Sequence, residues 1–203
     1  MVNKNKKGMT LIEAIVAIAI FVIGMEGFVL LFTKSWQMNS FTLETGMASF
    51  IASRGVQTTI NVIRNARQAD NGAFTIVSAN DNDLVIYSDI DGDSTVERVH
   101  YYLDNGNFKV GVTEPTDDVP PIYPVGDQTV SDTANYVVNN AEAPIFSYYD
   151  IDNNLLATPA VVNNVKMAKV YLEVNIDPIR TPNNIVIQSY ASIRNLSEYD
   201  RSQ

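Results

Sequence analysis

The feature that most constrains this chain lies at its start. Residues 4 to 21 read KNKKGMTLIEAIVAIAIF, and the apolar run continues as VIGMEGFVLLF to Phe32. The span from Met9 to Phe32 meets the length of about 20 apolar residues needed to cross a bilayer. Lysines precede it and few cations come after it, which predicts a cytoplasmic N-terminus with the bulk of the chain outside. A secretory signal fits less well, because its apolar core is shorter and is closed by a small-residue cleavage site. Here Thr33-Lys34-Ser35-Trp36 comes next instead. Glu13 is the anomaly in either case. A carboxylate at mid-bilayer costs ~2.5–3.5 kcal/mol on insertion scales, and acids in membrane helices usually need a partner.

One account of Glu13 is local. Thr10-Leu11-Ile12-Glu13 spells a capping box, in which the glutamate satisfies backbone N–H groups at the start of a helix. An acid there also meets the positive end of the helix dipole. A wider account takes the whole string. Lys6-Lys7-Gly8, then Met9-Thr10-Leu11-Ile12-Glu13, then the apolar helix, closely resembles the leader and mature start of type IV pilins and pseudopilins. The resemblance implies cleavage after Gly8 by prepilin peptidase and methylation of the new amino terminus at Met9. It also implies pairing of Glu13 with the terminal amine of a neighbouring subunit, so that assembly supplies the missing counter-charge. Met9 departs from the phenylalanine usual at that place, where other hydrophobic residues are accepted. The partners implied are prepilin peptidase, other pilin or pseudopilin subunits, an inner-membrane assembly platform and membrane lipid. The implied location is the cytoplasmic membrane, single-pass with the head outside, and then an extracytoplasmic filament or the cell surface.

The chain divides into four segments: a cleaved leader over 1–8, a transmembrane and filament-core helix over 9–33, an amphipathic continuation over 34–71, and a β-rich head over 72–203. No proline occurs before Pro115, and Asp70-Asn71-Gly72 offers a helix stop. Leu43, Met47, Phe50 and Ile51 share one stripe, and Val56, Ile60 and Ile63 another, turned away from the first. A surface helix with one partner would keep one phase. The shift predicts that one part packs on its own head and another on neighbouring subunits, unless a bend produces it. Gly24-Met25-Glu26-Gly27 interrupts the apolar run, either as a stretch that loosens in a filament or as a small-residue helix contact.

After Gly72 the pattern alternates. FTIVSA, DLVIYSD, TVERVHYYL and NFKVGV read as short strands, and two longer ones lie around 170–176 and in IVIQSYASIRN. A loop rich in Asp and Pro fills roughly 113–135, long enough to suggest function or disorder. The fold class predicted is α+β, the pilin fold: a long N-terminal helix whose C-terminal half packs on an antiparallel sheet.

Net charge is −9, and setting aside Lys4, Lys6 and Lys7 leaves 11 of 14 basic residues against 23 acidic ones. Such a body repels nucleic acid, and no nucleic-acid partner is expected. Cysteine is absent, which removes disulfides and thiolate metal sites. One histidine, His100, leaves no zinc quartet, and no nucleophile elbow, phosphate loop or dinucleotide fingerprint is present. The sequence predicts a protein that is not an enzyme. Asp89, Asp91, Asp93 and Glu97, with Gly92 among them, form a D-x-D-G-D-x-x-x-E string between two strands. Alternating carboxylates on a tight loop suit calcium, which takes six to eight oxygens. The spacing is not that of an EF-hand; it is similar to the calcium hairpins of integrin-type repeats, with Ser94 where those often have a second glycine. The alternative is a solvated Asp-Gly turn.

The stretch from Asp89 through Glu97-Arg98-Val99-His100-Tyr101-Tyr102-Leu103 resembles minor pilins and minor pseudopilins. So do Phe146-Ser147-Tyr148-Tyr149-Asp150 and Ile193-Arg194-Asn195-Leu196. The expectation is therefore a minor structural subunit of a type IV pilus or a type II secretion filament. Two alternatives share its anchor: a tip adhesin or ligand-binding protein using the long acidic loop, and a membrane-tethered domain that never assembles.

Overall fold

The computed structural model describes residues 8–176 and 184–199. The leader lysines Lys4, Lys6 and Lys7 lie outside the described residues. With no proline to remove a backbone bond, one helix, α1, runs unbroken over Leu11–Arg64, 54 residues. Gly24 and Gly27 lie inside it without interrupting it. The chain divides into two compact units between Glu44 and Thr45, so α1 contributes to both.

The part of α1 in the second unit packs through a narrow stripe. Ala48, Ala52, Gly55, Val56, Thr59, Ile60 and Ile63 are buried, a three-and-four spacing that lines one helical face. Val56, Ile60 and Ile63 are the second stripe read from the sequence. Leu43, Met47 and Phe50, from the first stripe, are exposed. The small residues are required by proximity: a Cβ on Gly55 would sit 3.0 Å from Ala134 Cβ and 3.0 Å from Leu172 Cδ1. The helix ends at Arg64, five residues before Ala69, where the sequence pattern would carry it. There the Arg67 N–H donates to Tyr87 O at 2.9 Å, so the sheet takes the backbone that another helical turn would have used.

Two antiparallel sheets cover this helix, where the sequence pattern predicts one. The first has the order β1-β2-β3-β4-β5: β1 Ile76–Ala79, β2 Asp83–Ser88, β3 Glu97–Asp104, β4 Asn107–Thr113 and β5 Thr129–Ala134. The second has the order β7-β6-β8-β9: β6 Phe146–Tyr149, β7 Leu155–Leu156, β8 Met167–Val174 and β9 Ile185–Ser192. A short helix, α2, spans Arg194–Tyr199. Ala134 belongs to the first sheet and Leu172 to the second, so Gly55 marks the line where α1 meets both.

The sheets are joined by backbone bonds and by aromatic packing. The Phe146 N–H donates to Asp81 O at 2.8 Å, and Val137 N–H donates to Gly106 O at 2.8 Å, while Val137 also bridges to Val174. Rings of Tyr101 and Phe108 lie 5.6 Å apart, Phe108 and Phe146 5.9 Å, and Phe146 and Tyr148 6.4 Å. All four are buried, and spacings of this kind suit offset or edge contacts. Tyr148 satisfies its hydroxyl by donating to Asn80 O at 2.9 Å.

Candidate functional site

Gly8 and Met9 precede the helix and are exposed. Thr10 begins it with both halves of a capping box. The Thr10 N–H and the Thr10 hydroxyl donate to the same oxygen, Glu13 Oε2, at 2.8 and 2.9 Å. The Glu13 N–H returns a longer bond of 3.4 Å to Thr10 Oγ1. The local reading of Glu13 is thus present in the single chain. It engages one carboxylate oxygen, and Oε1 accepts nothing among the described residues.

Apart from Glu13 and Glu26, the helix from Leu11 to Phe32 is apolar on every side. Leu11, Phe21 and Leu31 are 80%, 68% and 72% exposed. At about 100° per residue they point in three different directions. A helix with one partner would cover one of them. This is the one helix among the described residues that is long and apolar enough to cross a membrane. Each large aliphatic or aromatic side chain left in water forfeits about 1.5–3 kcal/mol, so the segment requires an all-round apolar environment such as lipid or neighbouring helices.

The acidic string occupies the β2–β3 connection, and the fold brings its four carboxylates together. One oxygen from each of Asp89, Asp91, Asp93 and Glu97 lies within 4.8 Å of the others. Backbone amides shape the loop: Gly92 N–H donates to Asp89 Oδ1 (2.7 Å), Asp93 N–H to Asp91 Oδ1 (3.1 Å) and Thr95 N–H to Asp93 Oδ1 (2.7 Å). Gly92 and Ser94 both adopt left-handed backbone, φ 84° and 80°. Ser94 holds that position with its N–H on Asp89 Oδ2 (3.2 Å) and its carbonyl on the Arg67 guanidinium (2.7 Å). Arg67 also contacts Asp89 at 3.3 Å. No local pattern could reveal Arg67, which enters from the turn after α1.

Glu97 differs from the three aspartates. Val99 and Tyr101 face the core of β3 while Arg98, His100 and Tyr102 are half-buried on its other face, as the alternation predicts. Glu97 shares the parity of Val99 and Tyr101, and it is 0% exposed. That parity was a legible signal that this acid points inward. Its Oε2 accepts from Ile90 N–H at 2.8 Å, and its Oε1 has no hydrogen-bond partner among the described residues. Burial pushes the Glu97 carboxyl above its ordinary pKa; the Ile90 N–H opposes this, and the charge of Glu114 adds to it.

A second cluster had no signature in the sequence. His100 Nε2 lies 2.8 Å from Asp83 Oδ2, and Nδ1 lies 3.0 Å from Asp127 Oδ2. His100 and Asp83 border an open cleft of about 490 Å³ together with Asn80, Asp81, Asn82 and Thr158. Asp127 comes from the long loop, and it presses on β4: a Cβ at Gly111 would fall 2.2 Å from its carboxyl. The acidic turn at Asp150 is closed by its own residues. Asn154 donates to Asp150 Oδ2 at 3.0 Å and, through its backbone, to Oδ1 at 2.8 Å.

The long N-terminal helix packed on antiparallel sheets is an α+β, pilin-like architecture. Residues 3–25 match the family model described as the prokaryotic N-terminal methylation motif, the signal of type IV pilins and pseudopilins. The chain thus carries the N-terminal signal of type IV pilins and pseudopilins ahead of a pilin-like fold. No curated protein matches the chain.

Proposed function

We propose that this protein is a minor structural subunit of a pilin-type filament, a type IV pilus or a type II secretion pseudopilus. In this role it inserts in the cytoplasmic membrane with its head outside, is cut after Gly8 by prepilin peptidase and is methylated at Met9. It is then taken up by the assembly platform and joined to other subunits through α1. The observation that carries this is the condition of α1 from Leu11 to Phe32: apolar on all sides apart from Glu13 and Glu26, with its large side chains exposed among the described residues. Lipid satisfies such a surface before assembly and neighbouring helices satisfy it afterwards. Glu13 supplies the register. Its free oxygen can receive the terminal amine of an adjacent Met9, and a charge-assisted bond of that kind is roughly twice as strong as a neutral one. The stretch from Glu97 to Leu103 and the two later motifs favour a minor subunit, and the role is non-enzymatic.

The test is Glu13→Ala in cells that make the filament. Membrane insertion and cleavage after Gly8 are expected to persist, because neither needs the carboxylate, while recovery in sheared filaments falls at least tenfold. Wild-type recovery of the variant would overturn the role given to Glu13, and absence of the unaltered protein from sheared filaments would support a tethered head that never assembles. Normal incorporation combined with loss of surface binding on changing residues of the 113–135 loop would support an adhesin.

A further inference from the structure

The acidic loop does more than turn the chain. Three of its carboxylates reach solvent and accept backbone amides of the loop, Asp91 and Asp93 in Asx turns, which a hairpin does without any ion. Glu97 has no such explanation. It is wholly buried, and one of its two oxygens has no hydrogen-bond partner among the described residues. A buried charge left in that state is costly unless something pairs with it. Arg67 does not supply the pairing, since its bonds go to Asp89 and to Ser94 O. The Glu97 carboxylate instead takes its place in a group with Asp89, Asp91 and Asp93.

The spacing of that group fits one cation. Every pair of the four oxygens lies within 4.8 Å, and two oxygens on opposite sides of a calcium ion at about 2.4 Å are separated by roughly that distance. The amide bonds already accepted do not block the site, because each carboxylate oxygen keeps a second lone pair. The formal charge also fits: four carboxylates against one guanidinium leave an excess that a divalent ion reduces.

We infer that Asp89, Asp91, Asp93 and Glu97 form a calcium site, with Glu97 as its buried inner ligand and the three aspartates closing over the ion from solvent. Calcium is favoured over magnesium because it accepts many protein oxygens in a flexible cage. Magnesium keeps most of its water and takes one or two carboxylates. The site locks the β2–β3 connection to the turn after α1, through Arg67 on Asp89. It stands independently of filament assembly, since every residue in it lies in the second unit.

The experiment is thermal melting of the full chain in detergent, with 10 mM calcium chloride or with chelator. For an affinity like that of extracellular calcium modules, about 10⁻⁴–10⁻³ M, calcium is expected to raise the Tm by about 3–10 °C. Asp91→Asn keeps the acceptor used by Asp93 N–H and is expected to melt like wild type in chelator while losing most of the calcium shift. Glu97→Gln should lose the shift as well, and calorimetry of the wild type should show one bound calcium that Asp91→Asn abolishes. Coincident wild-type curves with calcium and chelator would overturn the site. A full calcium shift retained by Asp91→Asn would overturn it too, as would an equal shift with magnesium chloride.

Discussion

The two parts of α1 are built from similar residues and meet opposite fates. From Leu11 to Phe32 the helix carries leucine, isoleucine, phenylalanine and valine on all sides and leaves them exposed. From Thr45 to Arg64 it carries a stripe of Ala48, Ala52, Gly55, Val56, Ile60 and Ile63 and buries it. The buried part is the less greasy of the two. Hydrophobicity by itself therefore does not decide what is buried within one chain; phase and side-chain size do. Small residues in one phase let two sheets approach the helix closely, whereas bulky residues in every phase cannot be satisfied by any single partner. The first pattern describes a head that completes its own core, the second a surface that waits for lipid or for other chains.

Truncating a buried and an exposed residue of α1 should separate the surface the head covers from the surface it leaves open. Ile60 is 3% exposed and Phe50 is 67% exposed, though both lie on α1. Ile60→Ala is expected to destabilise the head by about 2–5 kcal/mol, through lost transfer energy and the cavity left behind. Phe50→Ala should change it by less than about 0.5 kcal/mol while weakening filament incorporation. Melting of the full chain in detergent checks the first pair of values, and comparable destabilisation by both would erase the distinction. A smaller effect is expected from adding one methyl group. Gly111→Ala drives a Cβ into the Asp127 carboxyl and should cost about 1–3 kcal/mol by overpacking. Gly24→Ala meets nothing within 4 Å, so head stability should not change, and the helix gains the roughly 0.5–1 kcal/mol that glycine forfeits. Equal melts for these two variants would mean that Asp127 moves aside freely.

Much of this was legible wherever the signal was local. The capping box, the apolar span, the inward stripe of Val56, Ile60 and Ile63, and the alternation of Val99 and Tyr101 against His100 all derive from period and spacing. What escaped depended on partners distant in sequence. β5 reads TVSDTA and is mostly exposed, an edge strand whose polar residues guard against further pairing, so it carries no hydrophobic alternation and hid inside the predicted long loop. The division into two sheets depends on which strands pair, and that is settled by contacts such as Phe146 N–H to Asp81 O. The acidic string was visible, but Arg67 beside it and the Asp127 that faces His100 come from other parts of the chain. Glu97 was half legible: its parity marked it as inward, while the missing partner of its second oxygen is a fact of three dimensions.

The central claim is that the exposed helix is made for assembly and that assembly begins with a new amino terminus at Met9. Mass spectrometry of the N-terminal peptide from the protein's native membrane addresses it directly. The expected result is a chain that starts at Met9 and carries a methyl group on its α-amine. A chain still joined through Gly8 to the leader, or starting at another residue, would contradict it, because Glu13 would then have no neighbouring Met9 ammonium to receive.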